Sequence, residues 1–290
     1  MEIKQISNCV LSSLIKPDFI YNRYDLCAQE YLVLCVRDKV EKFHITVGIN
    51  KSEAKMGIWL MQLPEDVIDA VIAYIFDNYK GIKRISYTNG FTSRGLSWKS
   101  HHYRIELPET IDALHARLSK KGRYNIKREK DIIARKFGSC VLEEYPADDC
   151  PLDIIYTYFH YKYETHHKEY GLTPSQYLIQ FHVTNIYVLR MGDIIGAVIL
   201  SCEQCENIYL ENLSYDKQYG SLSCGQVLYD MYLSRLIEKG RKSIYLAGGD
   251  LDYKKRYGSI EEQTYDCRVY RNKFVENILK LLLTLKHLVK

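Results

Sequence analysis

Long apolar runs are missing from this chain, so a membrane-spanning helix is not expected. Met1-Glu-Ile-Lys-Gln-Ile-Ser-Asn8 has neither a basic start nor a sustained apolar core, so no secretory leader is expected either. The nine cysteines are odd in number and follow no framework, which argues for reduced thiols in a cytoplasmic protein, with peripheral contact at the inner membrane face as a further option. Cys202-Glu-Gln-Cys205 is a single CxxC without the second pair a zinc site needs, and no metal is expected. Low-complexity stretches and flexible linkers are also absent. Net charge is only +4, too little for broad nucleic-acid coverage. Phe (8) and Trp (2) are scarce beside 26 Tyr, a residue suited to half-wet surfaces and clefts, although a compositional habit of the host genome explains the count equally well.

What is present is ordinary in bulk and uneven in detail. At 290 residues, 47% hydrophobic and 26% charged, the chain can bury a full core as one large domain or two lobes. Between Arg117 and Lys136 stand nine Lys/Arg against Glu129 and Asp131, so that segment carries +7 and the remainder −3. The first half reads as strands at 31–37, 40–49 and 57–63, a helix from Glu65 to Tyr79, then strands at 83–88 and 102–107. The second half reads as strands at 186–190, 194–201 and 207–214, a helix over 226–239, then strands at 243–246 and 263–270. Both halves run three strands, a helix and two strands, a degenerate internal repeat. Between them lie a basic helix over 110–137, with Ile111, Leu114, Leu118 and Ile126 available for packing, and a helix over 152–170. Thr173-Pro-Ser-Gln176 has the pattern of a capping box. A leucine-rich amphipathic helix over 273–290 closes the chain; it can pack on the core, pair between subunits or touch a membrane surface.

The halves differ where strand meets helix. The first join, Pro64-Glu65-Asp66, carries two carboxylates that satisfy the helix N-terminus and would repel an anion. The second follows Asn207-Ile-Tyr-Leu-Glu-Asn-Leu-Ser-Tyr215 with Asp216-Lys-Gln-Tyr-Gly-Ser-Leu-Ser-Cys-Gly225, a glycine-bracketed turn opening a helix at Gln226, which Gly240 ends. Such a turn offers unpaired N–H groups at the positive end of the helix dipole and predicts a pyrophosphate cradle.

Three segments resemble the GNAT acyltransferase fold. His102-Tyr-Arg-Ile-Glu-Leu107 followed by Leu114 to Arg128 looks like the strand and helix between tandem GNAT lobes, as in Fem-type aminoacyltransferases and the CelD-like acetyltransferases of polysaccharide loci. Ser223-Cys-Gly225 is similar to the CelD-like "S-P-G" loop, with Cys224 where Pro is common. Ser243 to Gly258 looks like the same family's "D-x-G-x-G-D/E-x-x-Y-K-x-R-W/F-G" ending, with Tyr245 in place of its leading Asp.

The resemblance, over residues 100–270, implies tandem α/β (α+β) lobes, each a mixed, mostly antiparallel sheet flanked by helices. It sets an N-terminal degenerate lobe at 1–108, a basic linking helix and strand at 109–145, an acyltransferase lobe at 146–272 and a terminal helix at 273–290. It implies an acyl-CoA-dependent N- or O-acetyltransferase with acetyl-CoA as donor and a small-molecule or glycan acceptor, such as a sugar or envelope precursor. The alternatives are a Fem-type enzyme using aminoacyl-tRNA, the one reading in which nucleic acid is a partner, and a catalytically silent scaffold.

Cofactor contacts are expected from Leu213, Tyr215, Gln218, Gly220, Ser223, Cys224, Gly225 and Gln226. Alternation puts Tyr209, Glu211 and Leu213 on one strand face, and Glu211 is the candidate general base; a structural carboxylate is the competing reading. Asp250, Tyr253 and Lys254 follow a Gly-Gly pair, with Tyr253 to protonate the thiolate and Lys254 to hold a phosphate or the oxyanion; a solvated turn is the alternative. His160, Glu164 and His167 share a helix face and, with Arg123, are acceptor-binding candidates, against a satisfied interfacial histidine and a solvated basic helix.

Overall fold

The computed structural model describes residues 1–6, 30–37, 42–58, 63–166, 173–181, 183–203, 207–246 and 252–288. The chain forms two compact units, one of residues 1–101 with 263–290 and one of residues 102–262. These divisions fall elsewhere than the expected 108/109, 145/146 and 272/273. The basic helix belongs wholly to the second unit because it packs there, and the last strand and terminal helix belong to the first.

In the first unit, β1 (Glu2–Ile6), β2 (Glu30–Arg37), β3 (Lys42–Asn50) and β4 (Glu53–Met56) form an antiparallel series. A helix, α1 (Glu65–Asn78), crosses to β5 (Arg84–Gly90), which pairs parallel with β4. The last strand, β12 (Ile260–Tyr270), pairs antiparallel with β5. Val67, Ile68, Val71, Ile72 and Ile75 put the apolar stripe of α1 onto Leu32, Leu34, Ile45, Val47 and Ile85 of the sheet. The strand expected at 57–63 is instead β4, earlier in the sequence, and residues 59–62 lie outside those described. The first helix start is closed by its own carboxylates: the Val67 amide donates to Asp66 at 3.0 Å, while Arg94 pairs with Glu65 at 2.9 Å and Asp69 at 2.7 Å.

The second unit repeats this order. Its antiparallel series is β7 (Val141–Pro146), β8 (Asn185–Met191), β9 (Ile194–Cys202) and β10 (Asn207–Tyr215). The helix α6 (Cys224–Glu238) then crosses to β11 (Ser243–Tyr245), parallel to β10. Residues 104–106 of β6 (Leu96–Glu106) pair antiparallel with β11. Each crossover strand thus gains an antiparallel neighbour, but the strands are exchanged along the sequence: β6 serves the second unit and β12 the first. The expected lobe 146–272 therefore differs from the observed unit at both ends.

Strands β8 and β9 are apolar almost throughout because both faces are covered. Tyr187, Leu189, Ala197 and Ile199 meet α6, whereas Ile186, Val188, Val198 and Leu200 meet α4 (Leu152–His166) and α5 (Pro174–Gln180). The capping box of α5 forms as its sequence predicts: the Gln176 amide donates to Thr173 Oγ1 at 3.3 Å and the Thr173 amide to Gln176 Oε1 at 2.9 Å.

The basic segment is two helices, not one. α2 (Ile111–Ala116) stops before Ser119, which caps α3 (Lys120–Phe137) by accepting from the Gly122 amide at 3.0 Å. Arg123 turns back and donates to the carbonyls of Leu118 at 2.6 Å and His115 at 3.3 Å. Leu114, Leu118 and Ile133 are buried against α6.

Two buried acids fasten these layers. Asp230, fully buried on α6, meets Lys130 Nζ at 2.7 Å, His115 Nε2 at 2.9 Å and the Tyr257 hydroxyl at 2.7 Å. Glu203 lies 3.4 Å from Lys239 and 3.7 Å from Arg241 and accepts from the Tyr187 hydroxyl, at the other end of α6. Removing one member of such a group strands the rest in a poorly solvated place. Asp230→Ala should therefore lower the denaturant midpoint by an amount equivalent to about 3–5 kcal/mol. Adding Lys130→Met should recover part of that loss, and strictly additive costs in the double variant would show that the pair is not coupled.

Candidate functional site

The candidate site belongs to the second unit and starts from β10. This strand pairs with β9 over Tyr209–Tyr215 and with β11 over Asn207–Tyr209. Among the described residues, the edge Leu210–Tyr215 has no ladder partner on the β11 side. The β9 register shifts between Leu210, opposite Ser201, and Asn212, opposite Leu200, so Glu211 is the extra residue of a β-bulge. The bulge resets the alternation: Ile208 and Leu210 face the α6 core before it, Leu213 and Tyr215 after it. Tyr209 lies outside that core and stacks on Tyr245 with ring centroids 5.0 Å apart. The expectation that Tyr209 and Leu213 share a face is therefore corrected, because simple alternation does not survive an inserted residue.

Glu211 is half-buried, and its charge acts on Lys162 of α4. Lys162 is buried, donating to the hydroxyls of Tyr158 at 3.0 Å and Tyr177 at 2.8 Å, with its ammonium 4.9 Å from the Tyr177 ring centroid. Burial pulls its pKa from an ordinary 10.5 down to about 8, with Glu211 opposing the shift. Sequence reading passed over Lys162. A signal was present: Ile154, Ile155, Tyr158, Tyr161 and Lys162 follow helical spacing, so the lysine occupies an apolar-stripe position.

After β10 the chain forms a 3-10 helix, Lys217–Leu222, where a glycine-bracketed turn was expected, and α6 begins at Cys224, not Gln226. Asp216 caps the short helix through the Gln218 amide at 2.8 Å, and Lys217 ties it to the Glu164 carbonyl at 2.6 Å. Ser223 adopts φ 51°, ψ 37°, a left-handed conformation that costs a non-glycine residue about 1 kcal/mol or more. It stands at the α6 N-cap without a side-chain capping bond, and the first turn contains no acid. The Gln226 and Val227 amides bond to the Ser223 carbonyl at 2.8 and 3.1 Å, whereas those of Cys224 and Gly225 precede any intrahelical acceptor. An anion fits this uncapped positive end, which α1 does not offer.

Gly225 lets α6 approach β10: a Cβ there would come within 3.1 Å of Leu213 and 3.2 Å of Tyr215. Gly220 is open on that count, and Gln218, Gly220 and Gln226 are exposed. The Cys224 thiol is buried 3.6 Å from the Met191 sulfur, and burial pushes its pKa up to about 12.

After β11, residues 247–251, Asp250 among them, lie outside the described residues. The short helix α7 (Asp252–Lys255) contains Tyr253 and the buried Lys254, whose ammonium is 5.7 Å from the Tyr103 ring centroid. Arg256 donates to Gln226 Oε1 at 2.5 Å, and Gly258 turns with φ 74°. Part of this motif is thus structural, since Arg256 and Tyr257 both bind α6. On α4, His160 is exposed and 3.3 Å from Glu164; His167 lies outside the described residues. Arg123 is occupied by the carbonyls of His115 and Leu118. No group of residues suited to a metal ion occurs among the described residues.

Residues 182–255 match the family model of an acetyltransferase (GNAT) domain. No curated protein matches the chain. Among solved structures, FemX is similar over 96% of this chain and 99% of its own, with a TM-score of 0.64 at 9% identity. The C-terminal domain of a putative lysylphosphatidylglycerol synthetase from Agrobacterium fabrum is similar over 94% and 92%, with a TM-score of 0.58 at 13% identity. L-PGS from Bacillus licheniformis is similar over 87% and 85%, with a TM-score of 0.53 at 12% identity. At these identities the structures speak for fold alone. The chain therefore has a mixed α/β fold, and residues 182–255 of its second unit match a GNAT-type acetyltransferase domain, a match that supports an acyltransferase.

Proposed function

We propose that the second unit transfers an acyl group, acetyl in the simplest case, directly from coenzyme A to an amine or hydroxyl on a sugar or cell-envelope polysaccharide precursor. The observation that carries this reading is the uncapped, acid-free N-terminus of α6, inside the matched GNAT segment and opposite in character to α1. Acceptor class rests on the CelD-like likeness of Ser223-Cys-Gly225 and of Tyr253-Lys-Lys-Arg-Tyr-Gly258.

In this reading the amides of Cys224 and Gly225 hold the diphosphate, with Ser223, Gln226, Gln218 and Gly220 lining the approach to them. Leu213 and Tyr215 flank the acyl chain along the open edge of β10. Glu211 takes the proton of the acceptor nucleophile as the new C–N or C–O bond forms and the thioester C–S bond breaks. Tyr253 returns a proton to the departing sulfur, with Asp250 orienting this segment. Lys254 is assigned to the developing oxyanion, and Lys162 is the cation that meets the Glu211 charge. His160, Glu164, His167 and Arg123 are assigned to the acceptor side.

A second reading, aminoacyl transfer from tRNA, draws support from the likeness to FemX and from the basic helix. Several cations of that helix have structural duties: Lys130 pairs with Asp230, Arg128 with Glu129, and Arg123 with backbone carbonyls.

Thermal-shift titration separates the readings. Acetyl-CoA alone should raise the melting temperature, with a stabilisation of about 2.7 kcal/mol at a hundredfold excess over Kd. A response only to charged tRNA would transfer the chain to the second reading, and a response to neither would leave a silent scaffold. Gln226→Glu adds a carboxylate to the first turn of α6 at an exposed position and keeps a partner for Arg256. It should weaken acetyl-CoA binding roughly fivefold, about 1 kcal/mol, without lowering the melting temperature of the free protein. Equal affinity in the two proteins would remove the cradle from the proposal.

Lys162 gives a pH test. The folded chain releases its proton near pH 8 and the unfolded chain near 10.5, so unfolding takes up a proton between those values and this residue makes stability rise with pH across that window. Lys162→Met should abolish that rise, measured as the difference in denaturant midpoint between the two proteins at about pH 7 and about pH 10. The variant should be at least as stable as the parent at the lower pH. A parallel pH trend in both would mean that Lys162 titrates normally.

A further inference from the structure

We propose that the terminal helix of the first unit is a docking face for an anionic lipid surface. This rests on α8 (Lys273–Leu288) and is independent of the catalytic reading. The helix is anchored by its first turns. Glu276 is buried, accepting from the Tyr270 amide at 3.0 Å and pairing with Lys273 at 3.3 Å and Lys280 at 3.1 Å. Arg271, just before it, donates to the carbonyls of Ile82 and Tyr79, both at 2.7 Å. Asn272 caps the first turn through the Phe274 amide at 2.9 Å.

The side turned toward the unit holds Glu276 with half-buried Leu279 and Leu283. The remaining large apolar side chains with described surroundings point outward. Phe274 is 72% exposed and Leu281 60%, and Val275, Ile278, Leu282 and Leu285 are exposed with them. A helix normally buries such a stripe against its own core. A contiguous apolar face left in water marks an interaction site.

Shape and charge select the occupant. The exposed set covers roughly 120° of the helix circumference, wider than the narrow seam of a two-stranded coiled coil and suited to a flat apolar medium. The segment 273–290 contains four lysines and one carboxylate, and that carboxylate is the buried Glu276. With Lys273 and Lys280 paired to Glu276 the segment still carries a net +3, which two copies would set against each other and anionic headgroups would complement. No helix among the described residues is long and apolar enough to cross a membrane, so the contact is one of lying on the surface.

The test is co-sedimentation of the full chain with vesicles of phosphatidylglycerol and phosphatidylcholine, beside vesicles of phosphatidylcholine alone, with sedimentation velocity run in parallel. Binding to the anionic vesicles is expected, with loss in about 1 M salt, where screening is within about 3 Å. Leu281→Asp with Leu285→Asp, both at exposed positions, should lower the bound fraction at least about tenfold while circular dichroism stays unchanged. Absence of binding to anionic vesicles overturns the proposal. A dimer that the double variant dissociates, without vesicle binding, gives the face to a second copy and overturns it as well. Equal binding by parent and double variant overturns the assignment to α8.

Discussion

Three residue pairs join β10 to β11, and the chemistry available to the second unit follows from how few they are. Beyond Tyr209 the strand has no parallel neighbour among the described residues, and two residues later the bulge at Glu211 breaks its antiparallel register. A strand freed on one side and kinked on the other presents main-chain groups that regular pairing would consume. The helix α6 can close against this strand because Gly225 lacks a side chain, and it starts cleanly because Ser223 accepts a left-handed backbone. The uncapped amides, the half-buried carboxylate and the open edge are consequences of one interrupted pairing.

The buried charges divide into two kinds. Asp230 and Glu203 each meet several donors from different elements and act as fasteners between layers. Lys162 meets two phenols and the field of one carboxylate, and burial loosens its proton against that field. From the basic segment, conspicuous in the sequence, Lys130 joins the first kind through Asp230, whereas Arg123 holds the carbonyls of His115 and Leu118.

Periodicity made the alternating strands, the α1 and α6 helices, the capping box at Thr173 and the contrast between the two helix starts legible in the sequence. It failed where a feature depends on partners distant in the chain. The bulge at Glu211 is set by the register of β9, and a local pattern of apolar residues cannot reveal it. The break at Arg117–Ser119 was hidden because Leu118 continues the helical spacing, although Ser119 was a readable cap. Lys162 was missed because a lysine in a tyrosine-rich helix reads as a surface residue until the partners on α5 are known. The exchange of β6 and β12 was invisible for the same reason: both have strand composition, and composition does not say which neighbour a strand will find.

That exchange has a consequence for the order in which the chain is made. The second unit is a single continuous stretch, complete once Glu262 has emerged from the ribosome. The first unit begins earlier yet finishes later, because β5 waits for β12 across the whole intervening sequence. Domains commonly fold as units during synthesis, N-terminal first. Here the inserted unit closes before the one that surrounds it, and the older sheet keeps an unfilled edge until the final strand arrives.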